Sequence, residues 1–199
     1  MTKELVYTSS IKDMPLMFSE MKRTALLLCD GKSAEEILQL SLEQNVYQLE
    51  KEKRRRDVPL RMIKRLSTIS KPLTEILAHG SSDEARLVAF LALMKADRFI
   101  FEYMAEVYAD RFIAGYDEIT DRDFMEFIDR KVTNSTVVEK WTTQTLARLG
   151  TTIKSIICDA GLAKRTKNGL QILKPLVGEA ICRLLSHEER IYAKAMLLA

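Results

Sequence analysis

The chain has 199 residues, 47% hydrophobic and 30% charged, with a formal net charge of +3. That is one large domain or two small ones, long enough for a real core and too apolar for disorder. Three distant cysteines (Cys29, Cys158, Cys182), two histidines and no Cys-x-x-Cys exclude a disulfide framework and a structural zinc set, and point to reduced thiols in a cytoplasm.

The N-terminal residues carry no apolar signal core, and no run of about 18 uncharged apolar residues exists to span a membrane. Met14, Met17, Met21, Ala25 and Leu28 recur at helical spacing and predict a helix from Met14 to Cys29, stopped at Asp30-Gly31. Ser33 with Glu36 is a capping box that opens a helix through Gln44, and Asn45 marks a turn. A basic helix follows from about Tyr47. Pro59 lacks an amide hydrogen, so it begins a new helix capped by Asp57 or kinks the old one. Ile63, Leu66 and Ile69 give the second piece an apolar face. Lys71 to Ala78 is a short helix ended by His79-Gly80. Ser81 with Glu84 opens the longest element, Glu84 to Ala114, which is apolar around most of its circumference and reads as the central helix.

Thr120 with Asp123 starts a helix through about Lys131, and Asn134-Ser135 turns the chain. Val137 to Ala160 is helical, with Gly161 as its C-cap. Asn168-Gly169 is a two-residue hairpin signal with positive φ at both corners, and Leu170 to Leu173 alternates like a short edge strand before Pro175. The end is helical from Glu179, with Ser186 to Glu189 as a last capping box. The fold class is mainly α. We expect one compact helical unit over 1–199 with a small β-hairpin wing near residues 163–174. Its sub-regions are a helix-turn-helix-like 1–80, a central helix over 81–115 and a winged helix-turn-helix-like 116–199. Residues 33–69 and 120–160 echo each other as capped helix, turn and long helix.

Lys51 to Arg65 holds eight Lys or Arg against two acids, a net +6, while the rest of the chain sums to −3. A charge run is most often a solvated helix face. This one has few interleaved acids for i,i+4 pairing and is rich in Arg, whose planar fork suits phosphate. A focused basic patch attracts a polyanion, and an acidic protein partner fits the charge equally well. The candidate contacts are Lys51, Lys53, Arg54, Arg55, Arg56, Arg61, Lys64 and Arg65. A second set comes from the predicted winged arrangement. Thr142, Thr143, Gln144 and Arg148 lie near the start of a recognition-like helix, and Lys164, Arg165 and Lys167 lie on the wing. Capping and core cover explain these residues as well. Trp141 reads as a semi-buried anchor.

Other motifs carry no chemistry. Asp30-Gly-Lys-Ser33 resembles a P-loop tail, but Leu26 stands where Gly is needed. His79 and His187 sit at helix ends without triad partners. Asp117, Glu118, Asp121 and Asp123 lack EF-hand spacing. The chain is expected to have no catalytic set, no cofactor, no metal and no small-molecule substrate.

Four blocks, YTSSIKDMPLMFSEMKRTALLLCDGKSAEEI, RMIKRLSTI, KADRFIFEYMAEVYADR and VEKWTTQTLARLGTTIKSIICDAGL, cover most of the chain in order. Together they resemble the BrxA family of BREX phage-exclusion systems. The resemblance implies a compact helical, NusB-like or helix-turn-helix-bearing protein that binds double-stranded DNA. It also implies a cytoplasmic role in phage resistance beside other BREX proteins. From the residues alone, RNA remains open, because phosphate contacts do not tell RNA from DNA.

Overall fold

A computed structural model describes residues 6–176 and 179–198. Helices α1 (Phe18–Cys29), α3 (Glu52–Leu66) and α4 (Lys71–His79) pack around α5 (Ser82–Ala96), and α2 (Ala34–Glu43) packs on the outside against α3. Leu87 to Met94 of α5 is buried without interruption, as expected of a central helix. The Ser33, Ser81 and Thr120 capping boxes all form.

The predicted central helix is two rods. Asp97 adopts an extended backbone, and its carboxylate accepts the Phe99 and Ile100 amides at 3.1 and 3.3 Å, capping α6 (Arg98–Tyr103). The second rod runs on through a π-helical segment, Met104–Ala109, into α7 (Asp110–Ile113). Two helix starts also differ from the expectation. Met14 to Met17 is not helical, because the Arg65 guanidinium takes the carbonyls of Met14, Pro15 and Leu16, and Met17 turns with φ of 51°. The basic helix begins at Glu52, not near Tyr47. Asn45 and Gln48 have positive φ, and the buried Tyr47 hydroxyl lies 2.8 Å from that of Thr24.

Strands β1 (Glu118–Thr120), β2 (Ala163–Arg165) and β3 (Gly169–Ile172) form an antiparallel sheet in the order β1-β3-β2. The expected edge strand is therefore the middle one. The hairpin corner also moves. The Thr166 amide donates to the Gly169 carbonyl at 3.0 Å, so Lys167 and Asn168 make the turn, and Asn168 has no positive φ. Gly169 is instead drawn into the ladder opposite Thr120, where a Cβ would stand 2.0 Å from the Ile119 carbonyl oxygen. The buried Tyr108 hydroxyl, from the π segment, lies 2.7 and 2.9 Å from the carbonyls of Leu162 and Leu173 at the hairpin base.

Helices α8 (Asp121–Asn134) and α9 (Thr143–Asp159) are joined by residues 135–142, longer than the three- or four-residue turn of a helix-turn-helix. The predicted start at Val137 gives way to turns, and Thr142 caps α9 through the Thr145 amide at 3.2 Å. Trp141 is half-buried against Phe99, with ring centroids 5.3 Å apart. Helices α10 (Glu179–Leu184) and α11 (Arg190–Ala195) close the chain, and the Ser186 amide bonds Glu189 without starting a helix there.

Candidate nucleic-acid interface

Helix α3 continues through its proline, and its neighbour supplies the missing donor. Pro59 cannot donate to the Arg55 carbonyl one turn back, and the buried Ser41 hydroxyl does so at 2.6 Å. With Val58, Pro59, Met62 and Leu66 buried, the opposite face of α3 presents Lys53, Arg56, Asp57, Leu60 and Lys64. Their spacing of three, one, three and four residues makes one row, about 16 Å from Lys53 to Lys64. Among the described residues, Lys51, Lys53, Arg54, Arg56 and Lys64 have no side-chain hydrogen bond or ion pair and are exposed.

The other three cations of the run are used by the fold. Arg55 donates from Nε to the Leu49 carbonyl at 2.8 Å, holding the loop before α3. Arg61 is half-buried, with Nη1 3.4 Å from Ser10 Oγ. Arg65 is only 2% exposed, and its donors are committed to the Met14, Pro15 and Leu16 carbonyls. Burial, together with the nearby Arg61 charge, pushes the Arg65 guanidinium down to about 10, against the attraction of Asp97. Arg65 therefore builds the site from below and does not face a ligand.

On α9, Thr142, Thr143, Gln144 and Arg148 are all exposed. Gln144, Arg148 and Ser155 lie on one side of the helix at offsets of four and seven residues. The Arg165 guanidinium reaches down from β2 to Ser155 Oγ at 2.7 Å, so this row ends on the sheet. Lys164 points to the opposite side of the strand, in the cross-strand line of Gln171 and Glu118, and Lys167 sits exposed in the turn. The wing thus gives one cation to the α9 row, and Lys164 diverges from it.

Between the α3 and α9 rows lies a short 3₁₀ turn, Ser10–Lys12, with Asp13 and Met14. Ser10 touches Arg61 on one side. On the other, Asp13 pairs with Lys12 and stands 3.7 Å from Arg148. The two sets of predicted contacts are therefore brought to either side of one turn. Lys12 and Asp13 escaped the sequence reading, because only the fold carries the 3₁₀ turn to Arg148.

A second polar feature was also missed. A cleft of about 750 Å³ is lined by Tyr7, Arg98, Glu102, Glu106, Arg130 and Lys131, among others. Glu102 accepts from Tyr7 at 2.6 Å, Arg98 at 2.6 Å and Lys131 at 2.5 Å. Burial alone would raise the Glu102 carboxyl, but the hydrogen bonds from Lys131, Tyr7 and Arg98 outweigh it and hold it below the usual carboxylate range. Lys131 also bonds Glu106 at 2.5 Å. The network of ion pairs, in which Arg98, Arg130 and Lys131 share Glu102 and Glu106, ties residue 7 to α6 and α8.

The described residues thus define a mainly helical protein with a small antiparallel sheet and a surface polarised by one basic helix. Among them, no group of three or more His, Cys, Asp or Glu is placed to hold a metal ion, and no helix is long and apolar enough to cross a membrane. The BrxA family model matches residues 6–189. Over 177 residues the chain is 32% identical to the BREX protein BrxA of Bacillus cereus (strain H3081.97), covering 89% of this chain and 88% of that one. It is 25% identical over 97 residues to the BREX protein BrxA of Escherichia coli O9:H4 (strain HS), covering 49% and 46%. The crystal structure of an uncharacterized protein from Magnetospirillum magneticum has the same fold, with a TM-score of 0.79 over 97% of this chain and 99% of that one at 19% identity. The chain belongs to the BrxA family and is a component of a BREX phage-defence system.

Proposed function

We propose that the protein is a non-enzymatic, cytoplasmic DNA-binding component of the BREX assembly. Its α3 row grips the phosphates of duplex DNA, and the α9 start with Arg165 and Lys167 makes a further contact. The observation that carries this reading is the row of exposed cations on α3 without internal partners. Such charges repel one another at a cost, and a polyanion relieves it. The row offers point and fork charges but no Asn or Gln to read adenine, so binding is phosphate-led and tolerant of sequence.

The test is a pair of variants. Arg54→Glu with Arg56→Glu should lower duplex affinity at least about tenfold while melting temperature holds, since neither side chain has an internal partner. If four of the cations touch phosphates, log affinity falls with log salt at a slope of about −3.6. Unrelated duplexes should compete within about tenfold, or ~1.4 kcal/mol. A folded double variant that binds as tightly as wild type refutes the reading. Arg65→Met serves as the contrast and should lose stability first.

A further inference from the structure

Glu52 and Asp57 are the two acids of the Lys51 to Arg65 stretch. Glu52 lies in the first turn of α3, where the helix dipole favours a carboxylate. Asp57 lies beyond that turn, half-buried on the face that carries the cations. It forms an ion pair with neither Lys53 nor Arg61, four residues to either side, and has no side-chain hydrogen bond among the described residues. A carboxylate in this place weakens a phosphate grip, because it repels the oxygens that Arg56 and Lys64 attract.

Asp57 lines a depression of about 310 Å³ with Met14, Leu60, Arg61 and Lys64. Leu60, 48% exposed, lies between Arg56 and Lys64 one turn to either side. Met14 is held from below, since its carbonyl accepts from the buried Arg65 guanidinium. The depression thus offers two apolar side chains, one hydrogen-bond acceptor and two cations. Phosphate oxygens satisfy only the cations. A nucleobase satisfies the rest. Its ring has an apolar face, and cytosine, adenine and guanine each carry an exocyclic amino group that donates to a carboxylate.

We propose that this depression is a site for one unpaired DNA base bearing an amino group. Leu60 and Met14 contact the ring, Asp57 accepts from the amino group, and Arg56 and Lys64 hold the phosphates beside that nucleotide. The base must already be out of its stack. In an intact duplex the amino group is spent on the paired base and the ring on its neighbours. Extruding such a base costs more than one apolar contact and one hydrogen bond return. The protein therefore holds paired DNA by its phosphates and binds tighter where a base stands free. The site rests on the DNA-binding reading above, because the phosphate grip is what brings a base within reach.

Fluorescence anisotropy tests it with four duplexes of one sequence. One is fully paired, and the others carry one extra nucleotide in one strand: an abasic site, deoxyuridine or deoxycytidine. The abasic duplex controls for the easier bending of a bulge. Wild type should bind the deoxycytidine duplex about tenfold more tightly than the abasic one, the size of a hydrogen bond to a charged group. Deoxyuridine should fall near the abasic duplex, because its O4 faces the Asp57 carboxylate. Asp57→Asn should bind every duplex more tightly, having lost a repulsive charge, and should no longer tell deoxycytidine from deoxyuridine. Leu60→Ser should shrink the ratio of deoxycytidine to abasic. Each ratio is taken within one protein, so a general change of affinity cancels, and melting temperature checks that each variant folds. If wild type binds the three bulged duplexes alike, the site is overturned, while binding of the paired duplex leaves the DNA reading standing. A preference for deoxycytidine over deoxyuridine that survives Asp57→Asn also overturns it. Failure to bind any of the four sinks both readings.

Discussion

Pro59 and Ser41 show how one residue's missing atom is answered by another. The Arg55 carbonyl has no amide four residues on, and in a buried place an unpaired carbonyl costs about 1–3 kcal/mol. Ser41→Ala should therefore destabilise the fold by about that amount, although it removes a single oxygen. Pro59→Ala restores an amide at 59, so the cost of Ser41→Ala should shrink by at least ~1 kcal/mol in that background. Chemical denaturation of the four proteins in the cycle measures it. An equal cost in both backgrounds would mean that the serine acts elsewhere. The sequence could place Pro59 in or at a helix, but not choose between them. The choice depends on Ser41, eighteen residues before Pro59 and on another helix. The same limit applies to Arg65. Within Lys51 to Arg65 it is one cation of eight, and only the Met14 to Leu16 carbonyls show that it belongs to the core.

Elements were legible where their signals are local. The capping boxes at Ser33, Ser81 and Thr120 involve residues three apart, and each opens the helix expected of it. The apolar girth of 87–94 correctly marked the centre of the fold. Elements were misread where a distant partner decides. Asp97 breaks the central helix by capping the next rod, and the apolar periodicity on either side of it gives no sign of the break. Gly169 was read as a turn glycine, yet its place is set by β1, fifty residues earlier, which no short window reveals. This changes what a substitution there does. Gly169→Val should not merely loosen a peripheral wing. Its Cβ meets the Ile119 carbonyl oxygen at 2.0 Å, so β1 must part from β3 and uncover Ile119 and Leu170. We expect a loss of roughly 3 kcal/mol, the range of core overpacking. Amide exchange should show Ile119 and Leu170 losing protection together. If the turn at Lys167 and Asn168 alone becomes mobile while β1 stays protected, the ladder is not what Gly169 serves.

Across the whole molecule, the segment from Tyr7 to Leu16 fastens parts that are far apart in sequence. Tyr7 bonds Glu102, Thr8 bonds Asp97 at 3.2 Å, Ser10 meets Arg61, Asp13 meets Arg148, and Ile11 and Leu16 are fully buried. Its position between α3 and α9 means that the candidate interface depends on it. Two carboxylates under this segment titrate in opposite senses. Glu102 is held below the usual range, so its contribution is complete above the ordinary carboxylate pKa and is lost as pH falls through its lower folded value. Asp97 is pushed up by burial, against hydrogen bonds from Ile100, Thr8 and Phe99, so it favours the fold at low pH and its contribution declines as pH rises. The two partly offset each other in wild type, and variants separate them. Glu102→Gln should be less stable at neutral pH and lose less on acidification, because its unfolding no longer takes up that proton. Asp97→Asn should lose more on acidification, since the opposing term is gone. Denaturation midpoints measured from neutral pH down through the carboxylate range give both slopes. If both variants run parallel to wild type, neither carboxylate titrates with folding, and the network fastening Tyr7 to α6 is replaced by solvent as readily as any surface pair.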